Sequence, residues 1–175
     1  MMTETVVTVE HTTTRNVTHQ AGTKPEGALS WLRFNIDYFK TTPGILKLLQ
    51  LFFGIICMSC ASPALTSATH WFLFVAVTSF IATLIWVFVY LLGIREVLQL
   101  PINWLLTELV NTGIITVLYT IAFIVQLAKW SGLAGSFVAS NITAGVFGIF
   151  NALAYAAGVY FLHLEWKSSG GASTN

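Results

Sequence analysis

The chain is expected to form an all-α membrane protein. The architecture is a four-helix transmembrane bundle with cytosolic N- and C-termini and a short amphipathic juxtamembrane helix before the first span. Three observations lead there. Of its 175 residues 55% are hydrophobic and only 9% charged, whereas soluble domains carry roughly 25% charged residues. Four runs are apolar and long enough to cross a hydrocarbon core of ~30 Å as helices. Finally, Lys and Arg near the ends of those runs fall almost entirely on one side of the membrane.

Residues 1–28 are Thr-rich, with scattered Glu, His and Gly, and too polar to bury a core, so a disordered cytosolic tail is expected. The tail lacks the basic and apolar segments of a signal peptide, which leaves insertion to the first span. The membrane domain is assigned to 29–167. It opens with an amphipathic segment over 29–41, in which Leu29, Leu32, Ile36 and Phe39 share one face while Arg33, Asp37 and Lys40 share another. Thr-Thr-Pro-Gly at 41–44 then reads as a helix start, because Pro costs nothing where the backbone N–H has no partner.

The spans are placed at about 45–62, 71–92, 103–127 and 141–164. Lys47, in the first turns of the first span, is close enough to the interface to reach water. The second and third spans flank GIREVLQLPINWLLTE, residues 93–108, which reads as the hinge of a hairpin because Pro101 cannot continue a helix and Trp104 suits the headgroup layer. The chain closes with a short cytosolic tail over 168–175. Arg33, Lys40, Lys47, Arg95 and Lys167 lie on one side of this layout and Lys129 on the other, so the positive-inside rule puts both termini and the hinge in the cytosol.

On the fourth span Ala144, Gly148, Ala152 and Ala156 recur every four residues, a helix-contact face on which backbones can approach closely in lipid. Gly113 with Thr112, Thr116 and Thr120 offers a weaker face on the third span. Glu108 is an acid about one turn into a span and needs a partner. Lys47 and Arg95 at the same level, with Asn111, complete a polar lock for the bundle. The centres of the spans read as apolar, which disfavours ion transport. Asn141-Ile-Thr143 is a glycosylation string at the membrane surface, expected to be poorly used or unused.

Cys57 and Cys60 form a CxxC string without two further ligands, so small packing residues are expected there and no metal or cofactor. His70 and His163 have no second ligand or nucleophile at a recognisable spacing. No nucleophile elbow, phosphate loop or zinc-protease motif occurs, and the chain is read as no enzyme. A formal net charge of +1 without a basic block points away from nucleic acid.

TTPGILKLLQLFFGIICM, FVAVTSFIATLIWVFVYLLGIREVL and especially PINWLLTELVNTGIITVLYTIAFIV resemble the MARVEL four-span family, closest to its chemokine-like-factor-like members, over roughly residues 36–166. The resemblance implies a MARVEL-like bundle with cytosolic termini and a role in membrane apposition, vesicle trafficking or escort of surface proteins. The implied partners are membrane lipids, other integral membrane proteins met through helix faces, and further copies of the chain in a homo-oligomer. The implied sites are the plasma membrane and secretory or endosomal vesicles. The alternative reading is an oligomeric channel or permeability-modulating protein.

Overall fold

Each of the first three helices begins at a side chain that caps it, and the caps decide where the spans start. In the computed structural model, which describes residues 36–94 and 103–171, a 3-10 turn over Ile36–Lys40 leads into α1, Thr42–Ala61. The Thr41 hydroxyl accepts from the Gly44 N–H at 3.3 Å and Pro43 sits in the first turn. Helix α2, Ser67–Leu91, starts four residues earlier than its apolar run because Thr66 caps the Thr69 N–H at 3.2 Å. Helix α3, Trp104–Trp130, is capped by Asn103, whose side chain accepts from the Leu106 N–H at 3.1 Å.

Helix α4, Val138–Gly171, runs past the expected end of its span. The Ser168 and Ser169 hydroxyls return to the Glu165 carbonyl at 2.8 and 2.9 Å, so the polar tail begins as helix. The Thr-rich tail, most of the amphipathic segment, and Arg95 with the rest of the hinge core lie outside the described residues. Within the described part of that segment, Asp37 and Lys40 pair at 2.7 Å on an exposed face.

All four helices are long and apolar enough to cross a membrane. Helix α1, the shortest at 20 residues, is about 30 Å long. Residues 62–66 join α1 to α2 and residues 131–137 join α3 to α4. Connections this short make the joined helices antiparallel neighbours. Packing closes a ring in the order α1, α2, α3, α4 and back to α1, most extensively between α3 and its partner α4. The α1 start, α2 end, α3 start and α4 end therefore share one end of the bundle, called here the termini end. The other is the loop end.

Buried positions recur at alternating spacings of three and four residues: Lys47, Gln50, Gly54, Cys57 and Ala61 on α1, and Glu108, Thr112, Ile115, Tyr119, Ala122 and Gln126 on α3. That spacing is the signature of helices packed along a continuous seam. Phe72, Tyr119 and Tyr155 fill the middle. The ring of Phe72 meets Tyr119 edge-on at 6.3 Å, and Tyr119 and Tyr155 stack at 5.6 Å. The large apolar side chains Phe52, Phe74, Ile85, Ile114, Phe150 and Leu153 point outward instead. An apolar exterior around a partly polar interior suits hydrocarbon as solvent.

Candidate functional site: the polar seam of the bundle

Near the termini end, Lys47 from α1 forms an ion pair with Glu108 from α3, and the Tyr90 hydroxyl from α2 donates to the same carboxylate. Both charged side chains are almost fully enclosed, 8% exposed for Lys47 and 1% for Glu108. Lys47 thus turns inward to Glu108 and does not reach for water. Its ammonium also stands 5.7 Å from the Tyr90 ring centre. Tyr38, in the 3-10 turn, stacks on that ring at 4.2 Å with planes 3° apart. The turn can fold back this far because position 44 is glycine: a Cβ there would collide with the Tyr38 carbonyl.

Below this layer lie further polar side chains. Gln50 donates to the Ala154 carbonyl of α4 at 3.1 Å, and Gly158 leaves room for its amide. The Tyr155 hydroxyl meets the Thr83 hydroxyl at 2.8 Å and reaches the Ser79 carbonyl at 3.3 Å. Asn151 is buried beside the Tyr119 hydroxyl, and neither group closes a hydrogen bond among the described residues. Cys57 is buried, its Sγ 3.6 Å from the Ala144 carbonyl, while Cys60 is half-buried.

At the loop end, Gln126 donates to the Asn141 side-chain oxygen at 2.9 Å. That oxygen also receives the Thr69 hydroxyl at 3.5 Å, and the Trp130 indole donates to the Thr69 hydroxyl at 2.8 Å. The Asn141 amide nitrogen donates to the Phe137 carbonyl at 2.9 Å. Three helices, α2, α3 and α4, are thereby tied by one hydrogen-bonded group, with no chemistry implied beyond cohesion.

The expectation of apolar span centres is thus corrected. Polar residues enter the interior one or two per level from different helices, and most are tolerated because a neighbouring helix answers them.

The residues singled out by sequence divide as follows. Lys47 and Glu108 meet; Asn111 does not join them and sits half-buried on the outer flank of α3, and Arg95 lies outside the described residues. Ala144, Gly148 and Ala152 are buried inside the bundle, with Gly148 against Phe72 and Phe123, whereas Ala156 is exposed. Each step of four residues advances about 40° around a helix, so a straight four-residue row drifts off the seam by its third step. Thr112, Thr116 and Thr120 return their hydroxyls to the carbonyls four residues back, at 2.7, 2.7 and 2.8 Å. His70 and His163 are exposed. Tyr90, Tyr155, Trp130 and Asn151 also belong to the seam, and none of them stands out in the sequence taken singly. The spacing of polar residues by three and four, as in Lys47–Gln50, Ser79–Thr83 and Glu108–Thr112, is the signal that finds the seam.

On the outside, Leu106, Thr107, Val110, Asn111 and Ile114 of α3 line an open groove of about 410 Å³.

The MARVEL family, described as a membrane-associating domain, matches residues 38–161. The chain belongs to that family. It is similar to the plasmolipin of Danio rerio, 28% identical over 141 residues that cover 78% of this chain and 79% of the relative. It is also similar to the plasmolipin of Mus musculus, 28% identical over 149 residues, 82% of this chain and 81% of the relative. No solved structure matches. The MARVEL region begins at Tyr38, the residue stacked on Tyr90, and takes in every layer of the seam. This MARVEL chain is a multi-pass membrane protein whose outer faces contact lipid.

Proposed function

We propose that the protein is a non-enzymatic organiser of membranes, associating laterally with lipids and other integral membrane proteins to support vesicle trafficking, membrane apposition or the escort of surface proteins. It acts at the plasma membrane and on secretory and endosomal vesicles, with both termini cytosolic. The observation that carries this reading is the division of side chains between inside and outside. The ion pair and hydrogen bonds are spent within the bundle, and the large apolar residues left on all four helices face the membrane. Recognition then has helix faces to work with, since the connections at 62–66 and 131–137 are too short for a separate binding domain. The Lys and Arg count supports the orientation.

The test compares the surface abundance of membrane proteins in cells with and without this chain, and what co-purifies with it in mild detergent. Selective loss of one or a few surface proteins that also co-purify is the expected result. No change in either measurement refutes the escort role.

Buried amides at Gln50, Gln126 and Asn151 favour a second reading, an oligomeric channel or permeability-modulating protein. It ranks lower because a pore enclosed by several bundles would be lined by their outer faces, and these carry large apolar residues such as Phe52, Phe74, Ile85, Ile114 and Phe150. Conductance of the pure protein in liposomes, altered by changing Glu108 or Gln126, would reverse the order.

A further inference from the structure

One buried amide in the seam is answered by nothing around it. Asn151 of α4 is 1% exposed, and among the described residues it is the one buried amide with neither its oxygen nor its nitrogen hydrogen-bonded. It faces the Tyr119 hydroxyl of α3, which is fully enclosed and equally unpartnered. The Tyr119 ring cannot turn elsewhere, because Phe72 meets it edge-on and Tyr155 stacks on it. Other polar groups of the seam are already engaged, the Tyr155 hydroxyl with Thr83 and Ser79 and the Gln50 amide with the Ala154 carbonyl.

Beside the Asn151 amide, α1 contributes no side chain. A Cβ added at Gly54 would have only the Phe80 ring, at 3.4 Å, and the Asn151 amide nitrogen, at 3.9 Å, within reach. Both are ordinary contact distances, so the α1 backbone leaves room for one more atom against the amide. The level is close to mid-membrane: Gly54 lies about 18 Å along α1, which has 20 residues and is about 30 Å long.

We propose that the centre of the bundle is a binding site for a single water molecule, held by the Asn151 amide and the Tyr119 hydroxyl in the notch at Gly54. The ligand follows from the donor set. Asn151 offers N–H donors and a carbonyl acceptor, and the Tyr119 hydroxyl serves as either. A molecule that answers all of them must be small and must donate and accept at once. Charge points the same way. The ion pair of the seam, Lys47 with Glu108, is neutral as a unit, and Glu108 is about 16 Å along α3 from Tyr119, so no group beside the notch balances an ion. A buried water typically makes about three hydrogen bonds to groups that otherwise have none, and the Asn151 oxygen, the Asn151 nitrogen and the Tyr119 oxygen are such groups. The hydrocarbon outside the bundle can answer none of them. The site goes beyond the organiser role and holds independently of it.

The experiment uses the full chain, isotope-labelled at its asparagine nitrogens and reconstituted in liposomes. Solid-state NMR reads the transfer of magnetisation from water protons to the side-chain amides, and the Asn151 signal is identified by its loss in Asn151→Leu. In the parent that signal should receive magnetisation from water although the residue is buried. Gly54→Ala puts a methyl group in the notch and should abolish the transfer while the other amide signals stay in place. Tyr119→Phe keeps both ring contacts, removes one hydrogen bond to the water and should weaken the transfer roughly 2- to 10-fold, the worth of one such bond. No transfer to Asn151 in the parent would overturn the proposal, as would transfer from lipid-chain protons in place of water. Transfer that survives Gly54→Ala unchanged in a folded chain would overturn it as well; if that variant does not fold, an undiminished signal in Tyr119→Phe does so.

Discussion

Replacing Lys47 with methionine keeps most of its length and removes its charge, which isolates what the ion pair contributes. Glu108 would keep the Tyr90 hydroxyl but lose its counter-charge in a site where its side chain is 1% exposed. Breaking one partner from a buried pair costs about 3–5 kcal/mol, because the remaining charge stays desolvated. Glu108→Gln strands the ammonium in the same way and should cost a similar amount. The double variant removes both charges at once and should recover most of the loss, so the two single effects fail to add by about 2 kcal/mol or more. Unfolding of the purified protein in mixed micelles with increasing SDS, followed by tryptophan fluorescence, reads all four corners of the cycle. At about 3 kcal/mol the ratio of folded to unfolded protein falls roughly 150-fold. Single variants within about 0.5 kcal/mol of the parent, or strict additivity in the double, would refute the idea that the pair locks α1 to α3.

Two glycines should respond with opposite signs. A Cβ at Gly148 would stand 3.0 Å from both Phe72 and Phe123, so Gly148→Ala should destabilise by about 1–3 kcal/mol; at Gly113 nothing lies within 4 Å, and Gly113→Ala should stabilise by about 0.5–1 kcal/mol in the same unfolding assay. Equal effects at the two positions would contradict the packing described. Asn141 is 2% exposed and its side chain is fully engaged, so the Asn16→Gln chain, in which Asn141-Ile-Thr143 is the one glycosylation string left, should show no mobility shift on N-glycosidase treatment when expressed in mammalian cells; a quantitative shift would mean that Asn141 is not packed as described. Trp130→Phe deletes the donor to Thr69 and puts a smaller ring in a buried site, with an expected loss of about 0.5–1.5 kcal/mol from the hydrogen bond and more from the space opened, and a neutral result would show that the loop-end group is held by Gln126 and Asn141 alone.

The spans were legible in the sequence because hydrocarbon imposes a length and a polarity that few other environments demand. Their boundaries were less so. Ser67–His70 reads as loop by composition, yet Thr66 caps it into helix. The pairing of Lys47 with Glu108 could be read from their shared depth, since two opposite charges one turn inside a bilayer have few other partners. The cluster at Gln126, Asn141, Thr69 and Trp130 could not, because its members are up to 72 residues apart and each alone looks like ordinary polar content at a span end. The row from Ala144 to Ala156 shows the limit of a small-residue pattern. A straight face would keep all four residues together, but packing follows the alternating three-four path, which takes Ala144, Gly148 and Ala152 inward and leaves Ala156 outside.

The helices differ in length in a way that bears on the surrounding bilayer. Helix α1 has 20 residues and its neighbour α2 has 25, a difference of about 8 Å along the axis. Lipids beside α1 therefore meet a shorter span than lipids beside α2, and tilting cannot relieve both at once because the two helices are packed together. The bundle acts as a wedge in hydrophobic thickness. Lipid beside α1 must thin, or lipid beside α2 thicken, at a cost of a fraction of a kcal/mol per Å of mismatch.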